Sequence, residues 1–562
     1  MNILGIGGYS HDSAAALVCD GELVAGVAEE RLSRVKHQGG VPRLAIQYCL
    51  DTAGLTIDDI DHVGCYMRPI ARAARRTAYR LTQLPRNPYY AAAYTGYELI
   101  HNAQYMRGMR SILGKNARLH YMEHHPAHAT SAFLVSPFEE AALLSIDYIG
   151  EFTSTWAGVG RGTSITPLKS INYPHSLGVF YSAMTDYLGF LRASDEYKVM
   201  GLASYGEPEY YDEFKKIIRA KGDAWYAMDL SWMQYHYLPG SRHGYFSKKF
   251  IDRFGPPRKK SEPVEARHRN LAASAQLILE ETVLRMVRHV HREAGSNNLC
   301  LAGGVALNCA MNGRLLREPA SHEIYVQPAS GDDGIAIGAA YQLHHQMTGS
   351  KRSFVMRDAR IGPEYSNDDI RTFLDRAKIP YEIPHVLEDR AAQLIAEGNI
   401  VGWYQGRMEF GPRALGSRSI LADPTRPEMK DLINKHVKHR EEFRPFAPSC
   451  LAERASEFFE GCTDSPFMLF VYPVKKDKQE LLPAITHVDG TARVQTVSDE
   501  THPRYYRLIQ AFEKLRGVPV VLNTSFNVMG EPIVNTPEDA VRCFYSTGLD
   551  ALAIGDYIVI KR

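Results

Sequence analysis

Ala141-Ala142-Leu143-Leu144-Ser145-Ile146-Asp147-Tyr148-Ile149-Gly150-Glu151 is a short apolar run that ends on an aspartate and a Gly-containing turn, with Thr153 to Gly158 behind it. Ala141 to Ile146 reads as a buried strand, and Thr153 to Gly158 as the next one. The chain opens in the same way. Met1 to Gly8 is an apolar strand ending in glycines, and Tyr9-Ser10-His11-Asp12-Ser13 turns into Ala14 to Val18. Asp20-Gly21 is a hairpin signal before a third strand, Glu22 to Ala28. Two strand–Asp–turn–strand units, each followed by a helical region, point to an internal duplication within an α/β fold.

That pattern resembles the opening of actin-like and sugar-kinase-like ATPases, where nucleotide lies between two similar α/β halves. Later stretches agree. Leu299 to Leu301 is a strand running into Ala302-Gly303-Gly304-Val305-Ala306-Leu307-Asn308-Cys309, a Gly-Gly turn whose backbone N–H groups a ligand can approach. Ile324 to Gln327 is another strand, and Ala329-Ser330-Gly331-Asp332-Asp333-Gly334 opens an Ala/Gly-rich helix. An aspartate there is first of all a candidate N-cap. Ser176 to Tyr181 reads as a strand-to-helix entry. Glu196 to Gly206 reads as a Gly-punctuated loop whose Lys198 is either functional or solvated.

Between the two units lies Tyr121-Met122-Glu123-His124-His125-Pro126-Ala127-His128-Ala129. On a helix, His124 and His128 stand at i and i+4, one turn apart on one face. Two neutral imidazoles at that spacing can share a divalent metal, with oxygen ligands to complete the shell. Asp147 and Asp332 are the candidates, with Asp333 as an alternative to Asp332. His125 is offset by about 100° and reads as structural.

With 562 residues the chain is too long for one core. A formal net charge of +1 argues against a general nucleic-acid binder. The Cys residues follow no metal-binding spacing and read as reduced, mostly buried thiols in a cytoplasmic protein. No signal peptide and no apolar run of membrane-spanning length is visible, so no membrane association is expected. The segment from Arg72 to Arg110 interleaves Arg and Tyr with Ala. It reads either as a helical insertion over a substrate cleft or as a stacking surface for nucleic acid. Charge favours the first. Other elements expected are a helix over Val41 to Ala53, a strand over Ile60 to Cys65 and a helix over Asn270 to Ala294.

Periodicity fades from His345 to Asn367, which places a domain boundary near Asp358 and divides the chain into 1–358 and 359–562. Beyond it come helices over Asp368 to Ala377 and Leu387 to Gly398, then a strand over Ile400 to Tyr404. Three Arg and three Gly fall within the thirteen residues from Gly406 to Arg418, a flexible cationic turn suited to phosphate oxygens. Asn434 to Pro448, Thr491 to Gln495 and Leu522 to Asn527 add further basic and polar loops, the profile of a site for a triphosphate and a second anion.

These residues together resemble the O-carbamoyltransferases of the NodU/CmcH type, which decorate antibiotics and nodulation factors. The resemblance runs nearly end to end: His11-Asp12-Ser13, Arg34-Val35-Lys36-His37, His124 to Ala129, Gly303 to Asn308, Gly406 to Arg418, Phe443-Arg444-Pro445-Phe446-Ala447-Pro448 and Asn523-Thr524-Ser525-Phe526-Asn527. One departure is Tyr148, where the family usually has glycine, which permits φ > 0.

The resemblance implies an actin-like, metal-binding N-terminal domain and a YrdC-like C-terminal domain. The latter would make carbamoyl-adenylate from carbamoyl phosphate and ATP. The former would pass the carbamoyl group to a hydroxylated small-molecule acceptor. It implies that Arg413, Lys438, Arg444 and Arg493 neutralise phosphates, and that Asn523 and Ser525 bond the carbamoyl phosphate or adenylate. Asp12, Gly150, Gly178, Gly303, Gly304 and Asn308 would contact nucleotide. His124, His128, Asp147 and Asp332 would hold a divalent metal, with iron expected there and Mg2+ accompanying ATP. His11 would be the general base, and Lys36 would contact the acyl-adenylate. A homodimer, and no nucleic-acid partner, complete the expectation. The competing reading is a tRNA-modifying carbamoyl- or threonylcarbamoyl-type transferase, or an RNA-binding protein.

Overall fold

A computed structural model describes residues 1–114, 116–238, 244–319, 323–441 and 443–561. The chain packs as two compact units: Met1–Val24 with Gly39–Val355, and Ala25–Gln38 with Met356–Arg562.

The first unit carries two five-stranded sheets. One contains β1 (Asn2–Gly7), β2 (Ala14–Cys19), β3 (Glu22–Ala28), β4 (His62–Cys65) and β5 (Leu119–Tyr121), in the order β3-β2-β1-β4-β5. The other begins with β6 (Glu140–Ile146), β7 (Thr153–Arg161) and β8 (Ser164–Asn172). After a separate hairpin of β9 (Ile218–Lys221) and β10 (Trp225–Met228), it is completed by β11 (Asn298–Ala302) and β12 (Glu323–Val326), in the order β12-β11-β6-β7-β8. In each sheet the first strand is central. The second runs antiparallel beside it, and the two later strands run parallel on its other side. This repeated topology is the duplication expected from the sequence. Asp12 and Asp147 occupy equivalent turns, β1 to β2 and β6 to β7.

Helix Ile335–Thr348 packs on β1 and on helix His124–Phe133. The second crossing is very close: a Cβ on Gly338 would stand 2.0 Å from the Ala127 carbonyl oxygen. Only glycine permits it, and it sets Asp332, just before this helix, beside the histidines.

Several elements differ from expectation. The helices predicted from Val41 and from Asn270 are Arg43–Ala53 and Ala266–Ala294. The predicted loop at Glu196 is a helix, Glu196–Ala203. There Lys198 is neither solvated nor loose: it is buried and pairs with Asp195 at 3.1 Å. The Arg/Tyr segment forms two helices, Pro69–Thr82 and Pro88–Leu113, each with proline in its first turn, where its missing N–H costs nothing. Residues 239–243, the end of the Trp225 to His243 stretch that is expected from the sequence to shape the acceptor pocket together with the Arg/Tyr segment, lie outside the described residues.

The second unit is built on a seven-stranded mixed sheet of β13 (Val401–Tyr404), β14 (Arg418–Ala422), β15 (Ala447–Leu451), β18 (Gln495–Val497), β19 (Val520–Ser525), β20 (Ala551–Ile554) and β21 (Tyr557–Ile560). Its order is β18-β15-β19-β14-β13-β20-β21, and β16 (Val471–Pro473) pairs separately with β17 (Thr491–Arg493). Residues 25–38 join this unit through arginines. Arg31 Nη2 donates to the Gly411 carbonyl at 2.9 Å, and Arg34 donates to the carbonyls of Ile533 and Pro532 at 2.6 and 2.9 Å. Arg34 also faces Asp539 at 3.2 Å.

Among the described residues, no helix is long and apolar enough to cross a membrane. All eight cysteines are free, and seven are buried.

Candidate functional site

Helix His124–Phe133 presents His124 and His128 on one face, with ring centroids 4.7 Å apart. Their Nε2 atoms lie 3.0 and 3.3 Å from Asp147 Oδ2, and 3.6 and 3.5 Å from Asp332 Oδ1. The four ligand atoms are all within 4.8 Å of one another. A divalent ion with bonds of about 2.1 Å has ligand–ligand edges of about 3.0 Å in an octahedron and about 3.4 Å in a tetrahedron. The donor set and its edges therefore fit such an ion. Asp332 does not cap the following helix; Gly334 holds that position, and Asp333 Oδ1 accepts from the Gly334 N–H at 3.0 Å.

The electrostatics agree. Burial opposes charge on His128, but hydrogen bonds and the fields of Asp147 and Asp332 raise its pKa to about 9. Burial would raise Asp147, yet bonds from His124 and His128 hold it well below the ordinary carboxylate range. His125 is separate. Its ring nitrogens meet Ser145 Oγ at 2.8 Å and the Thr153 carbonyl at 2.9 Å, and burial pushes its pKa to about 3. It is a pinned, neutral, structural residue.

The turn carrying Asp147 is tightly built. The Gly304 N–H donates to Asp147 Oδ1 at 3.1 Å. A Cβ on Gly150 would stand 2.8 Å from His124 Cβ, one on Gly178 2.6 Å from the Asp147 backbone, and one on Gly303 2.4 Å from the Ile146 carbonyl. All three glycines thus crowd the turn. Tyr148 is absent from the positive-φ residues, so the turn accepts tyrosine without left-handed backbone, and its hydroxyl lies 3.0 Å from that of Tyr245. Asn308 caps helix Cys309–Leu316 through the Met311 N–H and exchanges hydrogen bonds with Gln276.

His11 Nδ1 lies 3.0 Å from Asp12 Oδ2, with Asp12 in left-handed backbone at φ +50°. Burial opposes its charge, but Asp12, Asp332 and Asp147 together raise its pKa to about 10. Its side chain keeps 46% exposure, so solvent tempers that rise. The neighbouring carboxylates thus favour the protonated imidazole, where the sequence suggests an unperturbed one. Lys36 lies in a turn of the 25–38 segment, half-buried.

In the second unit, Lys438 ends a π-helical turn, Ile433–Lys438, and is buried. Its Nζ reaches Ser525 O and Oγ and, at 3.0 and 2.9 Å, Asn527 O and Oδ1. Burial, with Arg440 and Arg444 nearby, depresses its pKa well below that of an ordinary lysine. Asn523 Nδ2 contacts the Ala414 carbonyl, Ser449 Oγ and Gln495 Oε1, at 3.3, 3.0 and 3.2 Å. Ala447 pairs with Asn523 in the sheet. The stretches bearing Arg413, Arg444 and Arg493 therefore meet at β19.

Not every basic residue of the Gly406 run is available to phosphate. Arg418 is fully buried in β14, donates to the carbonyls of Gln405, Gly406, Ser417 and Pro363, and lies 3.7 Å over the Tyr404 ring. Arg407 donates to Gly362 and Ile361 carbonyls. The sequence reading overlooked Glu409, whose Oε1 accepts from the N–H groups of Leu415, Ser417 and Arg418 at 2.8, 2.7 and 3.1 Å. It also overlooked Glu151, which accepts from the His124 N–H at 3.1 Å and the Arg68 N–H at 3.0 Å. A glutamate among backbone donors carries no distinctive sequence signal.

Comparison with family models matches residues 2–341 to the carbamoyltransferase N-terminus and residues 392–561 to the carbamoyltransferase C-terminus. The chain belongs to the carbamoyltransferase family. This carbamoyltransferase is 44% identical to an uncharacterised Synechocystis protein, over 100% of this chain and 97% of that one. It is 40% identical to the nodulation protein NolNO of Sinorhizobium fredii, over 99% and 79%, and 43% identical to NolO of Bradyrhizobium diazoefficiens, over 78% and 79%. The crystal structure of the Acidaminococcus fermentans (R)-2-hydroxyglutaryl-CoA dehydratase component A aligns with 61% of this chain and 96% of that chain, at 15% identity and a TM-score of 0.34, a likeness too distant to bear on mechanism. The protein is thus a transferase enzyme.

Proposed function

We propose that this carbamoyltransferase is ATP-dependent and works in two steps at two separate groups of residues. In the second unit, water cleaves carbamoyl phosphate to carbamate and phosphate, and a carbamate oxygen attacks the α-phosphorus of ATP, giving carbamoyl-adenylate and expelling pyrophosphate. Arg413, Arg444 and Arg493 neutralise the phosphate oxygens, while Lys438 holds Ser525 and Asn527 at the end of β19. In the first unit, an acceptor hydroxyl attacks the carbamoyl carbon, the bond to AMP breaks, and the hydroxyl proton passes to His11. The observation that carries the reading is the four-ligand cluster of His124, His128, Asp147 and Asp332, with edges matched to a divalent ion. An ion bound there, with iron expected, would polarise the adenylate and offset the carboxylate field that raises the His11 pKa. Gly304 orients Asp147 for that role.

The acceptor in this reading is a hydroxylated small molecule. RNA is disfavoured because Arg72, Arg76 and Arg80 turn onto Glu98 rather than outward. The test is incubation with ATP, carbamoyl phosphate and a panel of hydroxylated metabolites, read by mass spectrometry. AMP release that requires carbamoyl phosphate, with a carbamoyl mass added to an acceptor, supports the reading. AMP release indifferent to carbamoyl phosphate sinks it.

A further inference from the structure

Three arginines on helix Pro69–Thr82, at i, i+4 and i+8, converge on one glutamate of the next helix. Arg72 Nε, Arg76 Nη1 and Arg80 Nη2 lie 2.6, 3.4 and 3.0 Å from the Glu98 carboxylate, which is only 4% exposed. Of the three, Arg76 also reaches another part of the fold. Its Nε donates to the Glu151 carbonyl at 2.7 Å, and its Nη2 to the Gly150 carbonyl at 2.5 Å. These consecutive carbonyls close the turn that begins at Asp147. Gly150 lies against His124, and the Glu151 carboxylate receives the His124 N–H.

We propose that Arg76 is a positioning residue for the metal ligands: its guanidinium fixes the Gly150–Glu151 carbonyls, and through them Asp147 and His124. The proposal rests on the metal-binding reading of the cluster. The planar fork suits the task, since one guanidinium can donate two N–H groups to two neighbouring carbonyls. A lysine offers a point charge on a looser stem. Glu98 supplies the counter-charge that keeps this cation in a nearly dry place, and Arg72 and Arg80 hold Glu98 in turn. The pair of helices is therefore more than a cover. Its docking and the geometry of the ligand turn are one event, so an acceptor that shifts the helices acts on the ligand set. Groups that orient metal ligands from outside the coordination shell typically contribute about 10–100-fold to metal affinity.

The test titrates Co2+ into the full-length metal-free wild type, R76K, R76A and D147N, following the visible d–d bands. Amide exchange over residues 148–152 and carbamoyl-phosphate-dependent ATP–pyrophosphate exchange are measured alongside. The expected result is one tight Co2+ per wild-type chain, about 10–100-fold weaker binding in R76K and R76A, and faster exchange across the turn. Pyrophosphate exchange stays unchanged, and low guanidinium restores R76A but not R76K. Should R76A fail to fold, R76K alone decides. Wild-type Co2+ affinity and spectrum in R76K overturn the positioning role while leaving the metal reading intact. A wild type that takes up no Co2+, or a D147N that binds equally well, overturns the metal reading and the positioning role with it.

Discussion

Replacing Glu409 by glutamine tests the support of the cationic loop. Glu409 is 3% exposed, and its Oε1 collects three backbone N–H groups at 2.7–3.1 Å. A hydrogen bond to a charged group contributes about 1.5–3 kcal/mol and a neutral one about 0.5–1.5. Glutamine keeps the acceptor but loses the charge, about 1 kcal/mol per bond by that difference, or about 3 kcal/mol for the set. Its new NH2 must sit where Oε2 now lies buried with no hydrogen-bond partner, which adds to the loss. At 1.4 kcal/mol per factor of ten, the amides of Leu415, Ser417 and Arg418 should exchange roughly 100-fold faster in E409Q. Hydrogen–deuterium exchange on the full-length protein, read on peptides covering 413–419, measures this, with His124–Phe133 as the unaffected control. Carbamoyl-phosphate-dependent pyrophosphate exchange should fall in parallel, because Arg413 stands on the same loop. Loop exchange within about threefold of wild type would refute the reasoning, since a charge holding three buried donors cannot be lost so cheaply.

His128→Ala is expected to spare pyrophosphate exchange and block carbamoyl transfer; equal loss of both steps would contradict the division of labour. Lys438→Met removes the Nζ donor that joins Ser525 to Asn527 and should abolish AMP formation while Co2+ binding persists. His502 is buried; burial, then Arg360, pushes its pKa to about 3. Its unfolded value is about 6.5, so between those limits the unfolded chain binds the extra proton. The stability this group contributes is present above pH 6.5 and is lost as pH falls toward 3. The melting temperature should drop over that interval, and drop less steeply in H502Q.

The duplicated strand–Asp–turn pattern was legible because its signals are local: a buried central strand must be apolar, and the turn residues follow at once. The histidine pair was legible for the same reason, since i, i+4 spacing on a helix fixes the face. Contacts made at a distance were not. Arg76 and Glu98 carry no mark that separates them from charges on a solvated helix, and only folding shows that Arg72, Arg76 and Arg80 share one carboxylate. Arg418 and Arg413 look alike within the Gly406 run. One is a strand residue sunk among carbonyls, while the other remains half-buried on the loop. The glycines between Glu196 and Gly206 suggest a loop, yet Gly201 falls near the C-terminal end of a helix, where the burial of Val199 and Leu202 outweighs propensity.

The short segment 25–38 has a consequence for how the protein comes into being. Arg31 and Arg34 leave the ribosome 380 and 499 residues ahead of Gly411 and Ile533, whose carbonyls they engage. The C-terminal unit cannot be completed as a contiguous stretch of chain; it must recover a piece made near the beginning. A gene fragment cut at the apparent boundary would yield a polypeptide missing two of its own arginines, and Asp539 would keep Arg542 but lose Arg34. Supplying residues 25–38 as a separate peptide should restore it, as a missing strand of rope restores a splice.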